Sequence, residues 1–343
     1  MGGKTNSVEL PELQQIEALI QRHQGHLSST IICQIPLDKG TLPVYALTMG
    51  NSAAHIPCIT FVGGIHGLER IGTQVVLAFL QTLLERLQWD RSLVDVLRQV
   101  RINILPLMNP VGMLRHTRAN GQGVDLMRNA PVDSAEKTVW LGGGHRISPL
   151  LPWYRGVKGE PMQEEAQALC RFIQDEVLAA PFSLVLDCHS GFGFHNHIWF
   201  PYAKSRIDAI EHLGEVFYLR QLFQRTYPYQ NYRFEPQSQH YLTHGDLWDY
   251  LYQCSLQHDN IFIPLTLEMG SWRWIRKNPL QLRNSLGLFH PMKPHRINRV
   301  LRGHLVLMEF LLHAALSYQT WLQKSQVRQL RRQALELWYH GRR

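Results

Sequence analysis

The sequence predicts an α/β protein, a single-domain mixed sheet with helices on both faces, and two observations predict it. Short apolar runs at residues 58–62, 182–186 and 261–267 read as buried strands and alternate with longer segments of helical periodicity. Each run also leads into polar residues: His66 and Glu69 follow the first, His189 the second and Glu268 the third. The carboxyl ends of strands are where open α/β sheets build ligand sites, so these residues are expected to share one edge. No linker rich in Pro, Gly or Ser divides the 343 residues, and a hydrophobic content of 45% suffices for a substantial core. One domain over 1–343 is therefore expected.

In chain order, a short N-terminal helix is expected within about residues 8–25, where Leu13, Ile16, Leu19 and Ile20 share a face. Strands at 30–36 and 43–49 flank an Asp38-Lys39-Gly40 turn. The strand at 58–62 is broken by Gly63 and Gly64 before a helix over 70–87, and a further strand follows at 100–105. Residues 107–131 are rich in Gly, Asn, Pro and Arg, and so long a stretch of breakers inside a compact domain points to function. Helices are expected at 160–178, 203–223 and 245–253, a strand at 196–201, and a loop at 226–244. Two helices, 295–318 and 320–338, close the chain, and residues 316–343 form a basic helical extension.

Charge narrows the partners. The net charge is +8, of which the 28 residues from 316 onward carry +5, so the body is nearly neutral and no nucleic-acid footprint is read. The extension reads as a solvated face on a helix docked through Leu330, Leu335 and Trp338, with an acidic partner or a membrane surface as the alternative. Five dispersed cysteines in apolar surroundings read as reduced core thiols. The start, MGGKTNSVELPELQQ, lacks a leader's apolar stretch, has Asn6 where myristoylation needs Ser or Thr, and lacks the upstream glycine of a phosphate loop. The apolar stretch 304–318 is short and holds Glu309 and His313. These features predict a cytoplasmic protein without membrane association.

His66 and Glu69 stand three residues apart at a strand-to-helix junction and can turn towards one point. Nitrogen and oxygen ligands with a position left open suit a catalytic zinc, and His189 offers a further imidazole. His195 and His197 share one face of a strand, but no third ligand is spaced nearby, so a pocket histidine is the simpler reading.

These residues together resemble the M14 family of zinc carboxypeptidases, from about residue 58 to 271. In that family a His-x-x-Glu pair and a distant His after a strand hold the zinc, the places of His66, Glu69 and His189. RANGQGVDLMRN, residues 118–129, is similar to the family's R-x-N-x-x-G-V-D-L-N-R-N. TLEMGS, residues 266–271, resembles the strand that carries the catalytic glutamate, and Tyr241 with the following THGDLWD resembles the segment of the mobile tyrosine.

The resemblance implies a phosphorylase/hydrolase-like fold, one Zn2+ per chain, and Glu268 as the base that takes the attacking water's proton and delivers it to the leaving nitrogen. Arg118 would hold the oxyanion, with Arg115 and Arg155 as rivals, and Asp125 would accept the free ring N–H of His66. Arg128, planar and bidentate, suits a substrate carboxylate, with Asn129 and Tyr241 beside it. Two positions depart from the family. Met127 stands where an Asn usually shares that carboxylate, and Ala130 where an aromatic is common. Trp248 falls near the floor of the side-chain pocket and offers no charge there. The leading expectation is a zinc metallocarboxypeptidase acting on a peptide or other amide with a free carboxylate. A zinc amidohydrolase on the same fold, cutting a cell-wall peptide or an N-acyl amino acid, is kept open by Met127. A binding protein with a relic site is the third reading, which the full set of ligands, base and Arg118 argues against.

Overall fold

The computed structural model describes residues 10–339. The glycine-rich start and the last two arginines of the basic extension, Arg342 and Arg343, lie outside the described residues. Among the described residues, eight strands form one mixed sheet: β1 Ser28–Pro36, β2 Thr41–Gly50, β3 Cys58–Gly63, β4 Arg101–Leu105, β5 Phe182–Ser190, β6 Asn196–Phe200, β7 Tyr232–Pro236 and β8 Ile261–Met269. Their order is β1-β2-β4-β3-β5-β8-β6-β7. The centre, from β4 through β3 and β5 to β8, is parallel; β1, β2 and β6 join antiparallel to their inner neighbours.

Every residue of β3 and β5 is buried. Successive side chains point to opposite faces, so both faces of the sheet are covered there, as parallel strands require. Helices Arg70–Arg86 and Pro294–Leu316 pack on each other and on β3 and β5, while Leu247–Ser255 packs on β8 and Glu164–Phe172 on β1. Among the described residues, no helix is long and apolar enough to cross a membrane.

The structure departs from the sequence expectations in several places. Residues 203–212 are not helical. The Asp249 carboxylate accepts the backbone N–H groups of Ala203 and Lys204, and Ser205 Oγ accepts those of Ile207 and Asp208, so turns rather than helical carbonyls satisfy this backbone. The helix starts only at Leu213. The expected loop at 226–244 contains β7, in which Tyr232 and Phe234 are buried while Arg233 is exposed, a period-two pattern just long enough for an edge strand. The helix expected from 160 begins at Glu164, and short helices at Arg91–Leu97, capped by Asp90, and Trp272–Lys277 were not anticipated.

The terminal extension is a helix, Lys324–Trp338, lying along Leu213–Thr226. Trp338 is its anchor: the indole N–H donates to the Phe234 carbonyl and the ring meets Phe200 and Phe217. Arg331 donates to the carbonyls of Ile210 and Glu211, so part of the basic face is structural. Arg328 and Arg332 remain exposed.

Candidate metal centre and cavity

His66 and Glu69 reach the site through a tight turn between β3 and the helix that begins at Arg70. Gly64 takes φ +67°, which a side chain would strain. A Cβ on Gly67 would overlap the backbone of Gly112, so only glycine lets the turn sit this close to the neighbouring loop. Glu69 then occupies the cap position of the helix. His189 comes from the end of β5, and Glu268 is its register partner on β8.

Three atoms converge. His66 Nδ1 lies 2.9 Å from Glu69 Oε1, His189 Nδ1 lies 3.0 Å from Glu69 Oε2, and the two Nδ1 atoms are 3.2 Å apart. Each ring has its other nitrogen against a carboxylate: His66 Nε2 at 3.0 Å from Asp125 Oδ1, and His189 Nε2 at 2.6 Å from Asp187 Oδ2. Ionised carboxylates only accept, so both Nε2 atoms carry the proton. With those protons on Nε2, the two Nδ1 atoms and the Glu69 carboxylate are left to share one cation, either a metal ion or a proton held between His189 and Glu69. Ligands at about 2.0–2.1 Å around tetrahedral zinc stand roughly 3.3 Å apart, close to these separations. The donor set therefore fits the zinc ion that the sequence implied.

The electrostatics follow from this crowding. Burial would raise the Glu69 carboxyl, but His66 and His189 outweigh it and hold it well below the usual range. Burial likewise opposes, and Asp187 and Glu69 overcome, in lifting the His189 imidazole well above its ordinary value. Asp125 is held down against its burial, chiefly by Arg118 and then His66. Glu268 goes the other way: burial, then the nearby Glu69 charge, push it up to about 8. Backbone N–H groups steady both carboxylates, from Ser190 to Glu69 Oε2 at 2.9 Å and from Phe192 to Glu268 Oε1 at 3.1 Å.

A cavity of about 490 Å³ opens over these groups, and Arg118, Arg128, Met127 and Tyr241 also line it. Arg118 donates to Asp125 at 2.8 Å and to Glu69 at 3.2 Å, which aims it at the metal position. Its rivals are engaged elsewhere, Arg155 with Asp133 and the Arg128 carbonyl, Arg115 with the Gly121 carbonyl at the surface. Arg128 is buried, yet its Nε–H has no partner and one of its terminal nitrogens only reaches the Met127 carbonyl at 3.2 Å. The side chain also bonds Tyr241, and its guanidinium lines the cavity as a charged donor that an entering carboxylate can pair with. Tyr241 packs on Phe192 and Trp199, with Arg128 5.9 Å from its ring centre.

Two expected substrate residues stand behind the cavity wall instead. Trp248 is buried, and its indole N–H donates to Asp187 Oδ2 at 2.8 Å, so it braces the partner of His189. Asn129 spends its amide on the Arg155 carbonyl and the Gln163 N–H, which ties down the loop around them. Asp187 was not singled out from the sequence, although Asp-x-His on one strand puts both side chains on the same face.

A buried His/Glu/His set with a second carboxylate beside it, at the carboxyl edge of a mixed sheet, is the architecture of a metallohydrolase. Residues 41–272 match the family model described as zinc carboxypeptidase, Peptidase_M14, and the chain belongs to that family. It is 32% identical over 161 residues to carboxypeptidase E of Caenorhabditis elegans, covering 43% of this chain and 33% of that protein. Over 167 residues it is 33% identical to the human carboxypeptidase N catalytic chain, covering 43% and 33%. Carboxypeptidase D of Mus musculus is 24% identical over 247 residues, 65% of this chain but 16% of that one. The chain thus spans a third or less of the length of these relatives. In fold it resembles the crystal structures of thrombin activatable fibrinolysis inhibitor (TM-score 0.67, 18% identity, 92% of this chain and 76% of that) and of carboxypeptidase A from Helicoverpa armigera (TM-score 0.65, 18% identity, 92% and 77%).

Proposed function

We propose that this chain is a zinc metallocarboxypeptidase that hydrolyses the C-terminal peptide bond of a peptide substrate. The observation that carries the reading is Arg128, a buried guanidinium with an unpartnered N–H, lining the same cavity as the His66, Glu69 and His189 cluster. A terminal carboxylate seated on Arg128 orients the substrate in that cavity, and Met127 and Tyr241 flank it. When bound, zinc supplies Lewis-acid polarisation of the carbonyl and lowers the pKa of water.

The chain's own groups do the rest. Glu268 takes a proton from the attacking water as its oxygen bonds to the carbonyl carbon, then delivers that proton to the amine nitrogen as the C–N bond breaks. Its raised affinity for protons, from burial and Glu69, suits it to the second step, and a cation at the His66 and His189 nitrogens would draw it back towards the carboxylate needed for the first. Arg118 faces the developing oxyanion. Asp125 and Asp187 hold the two imidazoles in the tautomer that presents Nδ1.

The partner proposed is a peptide, or another amide with a free carboxylate, and neither nucleic acid nor a membrane surface. Arg328 and Arg332 would serve an acidic partner of the terminal helix. All five cysteines are unpaired and four are buried, which supports work in a reducing cytoplasm. Matched peptides with a free or amidated C-terminus test the reading: kcat/KM should favour the free acid strongly in the wild type and lose that preference in Arg128→Met. Equal rates on both peptides in the wild type would refute a carboxypeptidase and leave the amidase.

A further inference from the structure

Outside the proposed catalytic centre, one more set of side chains among the described residues converges as ligands do. Strand β6 places His197 on the face it shares with His195 and Trp199, and the parallel neighbour β7 places Glu235 beside it. The chain then folds back through a turn closed by the His240 N–H on the Gln237 carbonyl, which delivers His240 to the same point. His197 Nδ1 lies 3.2 Å from Glu235 Oε2, and His240 Nε2 lies 2.8 Å from the same oxygen. All three ligand atoms fall within 4.8 Å of one another, and the two rings stand nearly perpendicular, 4.9 Å between centres.

We propose that His197, Glu235 and His240 form a second metal site, for a divalent ion of the borderline class such as zinc, cobalt or nickel. Two imidazoles and a carboxylate are the ligand types of the catalytic centre, and they disfavour magnesium and calcium, which need more oxygens. His197 is 4% exposed and fixed among Phe192 and Trp199, whereas Glu235 and His240 have about a quarter of their side-chain surface open. One rigid ligand with two at the rim leaves an entry path and a coordination position for water. The three atoms, 2.8 Å, 3.2 Å and at most 4.8 Å apart, must adjust to the roughly 3.3 Å separations of a tetrahedral site.

Its position gives it a consequence. His240 is covalently next to Tyr241, which lines the catalytic cavity, and His197 is the register partner of Glu268 on the antiparallel side of β8. An ion here joins the turn that carries Tyr241 to the strand beside the base, and would restrict that tyrosine.

Stripped protein titrated with zinc chloride by calorimetry, and with cobalt chloride read by its visible spectrum, tests the assignment. Two ions per chain are expected in the wild type, one in His240→Ala, one in Glu235→Gln, one in His189→Ala, and none in the His189→Ala, His240→Ala double variant. Unfolding temperatures without metal show that each variant is folded. Glu235→Gln keeps an oxygen acceptor for both rings, so it tests the ligand without breaking the turn. A single ion in the wild type, or a second ion that survives both His240→Ala and Glu235→Gln, overturns the proposal. Because His189→Ala isolates this site, its failure is distinguishable from a failure of the catalytic centre.

Discussion

His189 and Glu268 are register partners on adjacent parallel strands, β5 and β8, so the proposed metal ligand and the proposed base stand one strand spacing, about 4.8 Å, apart across the sheet. Paired residues in a sheet point to the same face. The ligand and the base therefore meet without any loop having to place them, and two buried strands hold their separation.

Glu268→Gln should retain one tightly bound zinc per chain while turnover falls by about 10² or more, since an amide cannot take up the water's proton. Elemental analysis beside kcat measures both. Zinc lost together with activity would make Glu268 a ligand or a structural group instead.

Asp187→Asn tests the support behind His189. The carboxylate receives both the His189 ring and the Trp248 indole, and removing such a partner of a ligating histidine typically weakens metal binding about 10–100-fold. Competition for zinc with a chromogenic chelator reads the change. Unaltered affinity would mean that the strand alone orients the ring.

Met127 lines the cavity beside Arg128. Met127→Asn adds an amide that can share the substrate's carboxylate, and a hydrogen bond to a charged group is worth about 1.5–3 kcal/mol. Binding of free-acid peptides should tighten about tenfold or more, with amidated peptides unchanged. A fall in turnover on the natural substrate would instead place the thioether against an apolar part of a different amide.

Two buried histidines predict acid sensitivity away from the site. Burial lowers His304 to about 3 and His290 to about 4, and His304 Nδ1 accepts the Tyr232 hydroxyl as a neutral ring does. Unfolded, both titrate near 6.5. The folded pKa is the lower one, so the stabilisation is complete above about pH 6.5 and is lost as pH falls towards 4 and then 3. At pH 5 each costs about 2 kcal/mol relative to neutral pH. Denaturant unfolding of His304→Gln should lose less stability between pH 7 and pH 5 by that amount, and an unchanged loss would show that His304 protonates without cost.

The sequence by itself determined the alternation of strands and helices, the edge on which the site lies, and the identities of its charged groups. These are local properties: an apolar run of four to eight residues names a buried strand, and the polar residue that ends it must lie at the strand's end. His66, Glu69, His189 and Glu268 could be picked out because each sits directly past or at the end of such a run. Only the tertiary structure decided what meets across the sheet. The backbone N–H groups of Ser190 and Phe192 that steady Glu69 and Glu268 carry no sequence signature, since every residue but proline has one. Trp248 and Asn129 sit at positions that pattern assigns to substrate, yet packing turns the first towards Asp187 and the second towards Arg155 and Gln163. Glu235 and His240 lie 38 and 43 positions beyond His197. They join it only because β7 pairs with β6 and the turn after β7 folds back, a non-local pairing that no spacing along the chain encodes.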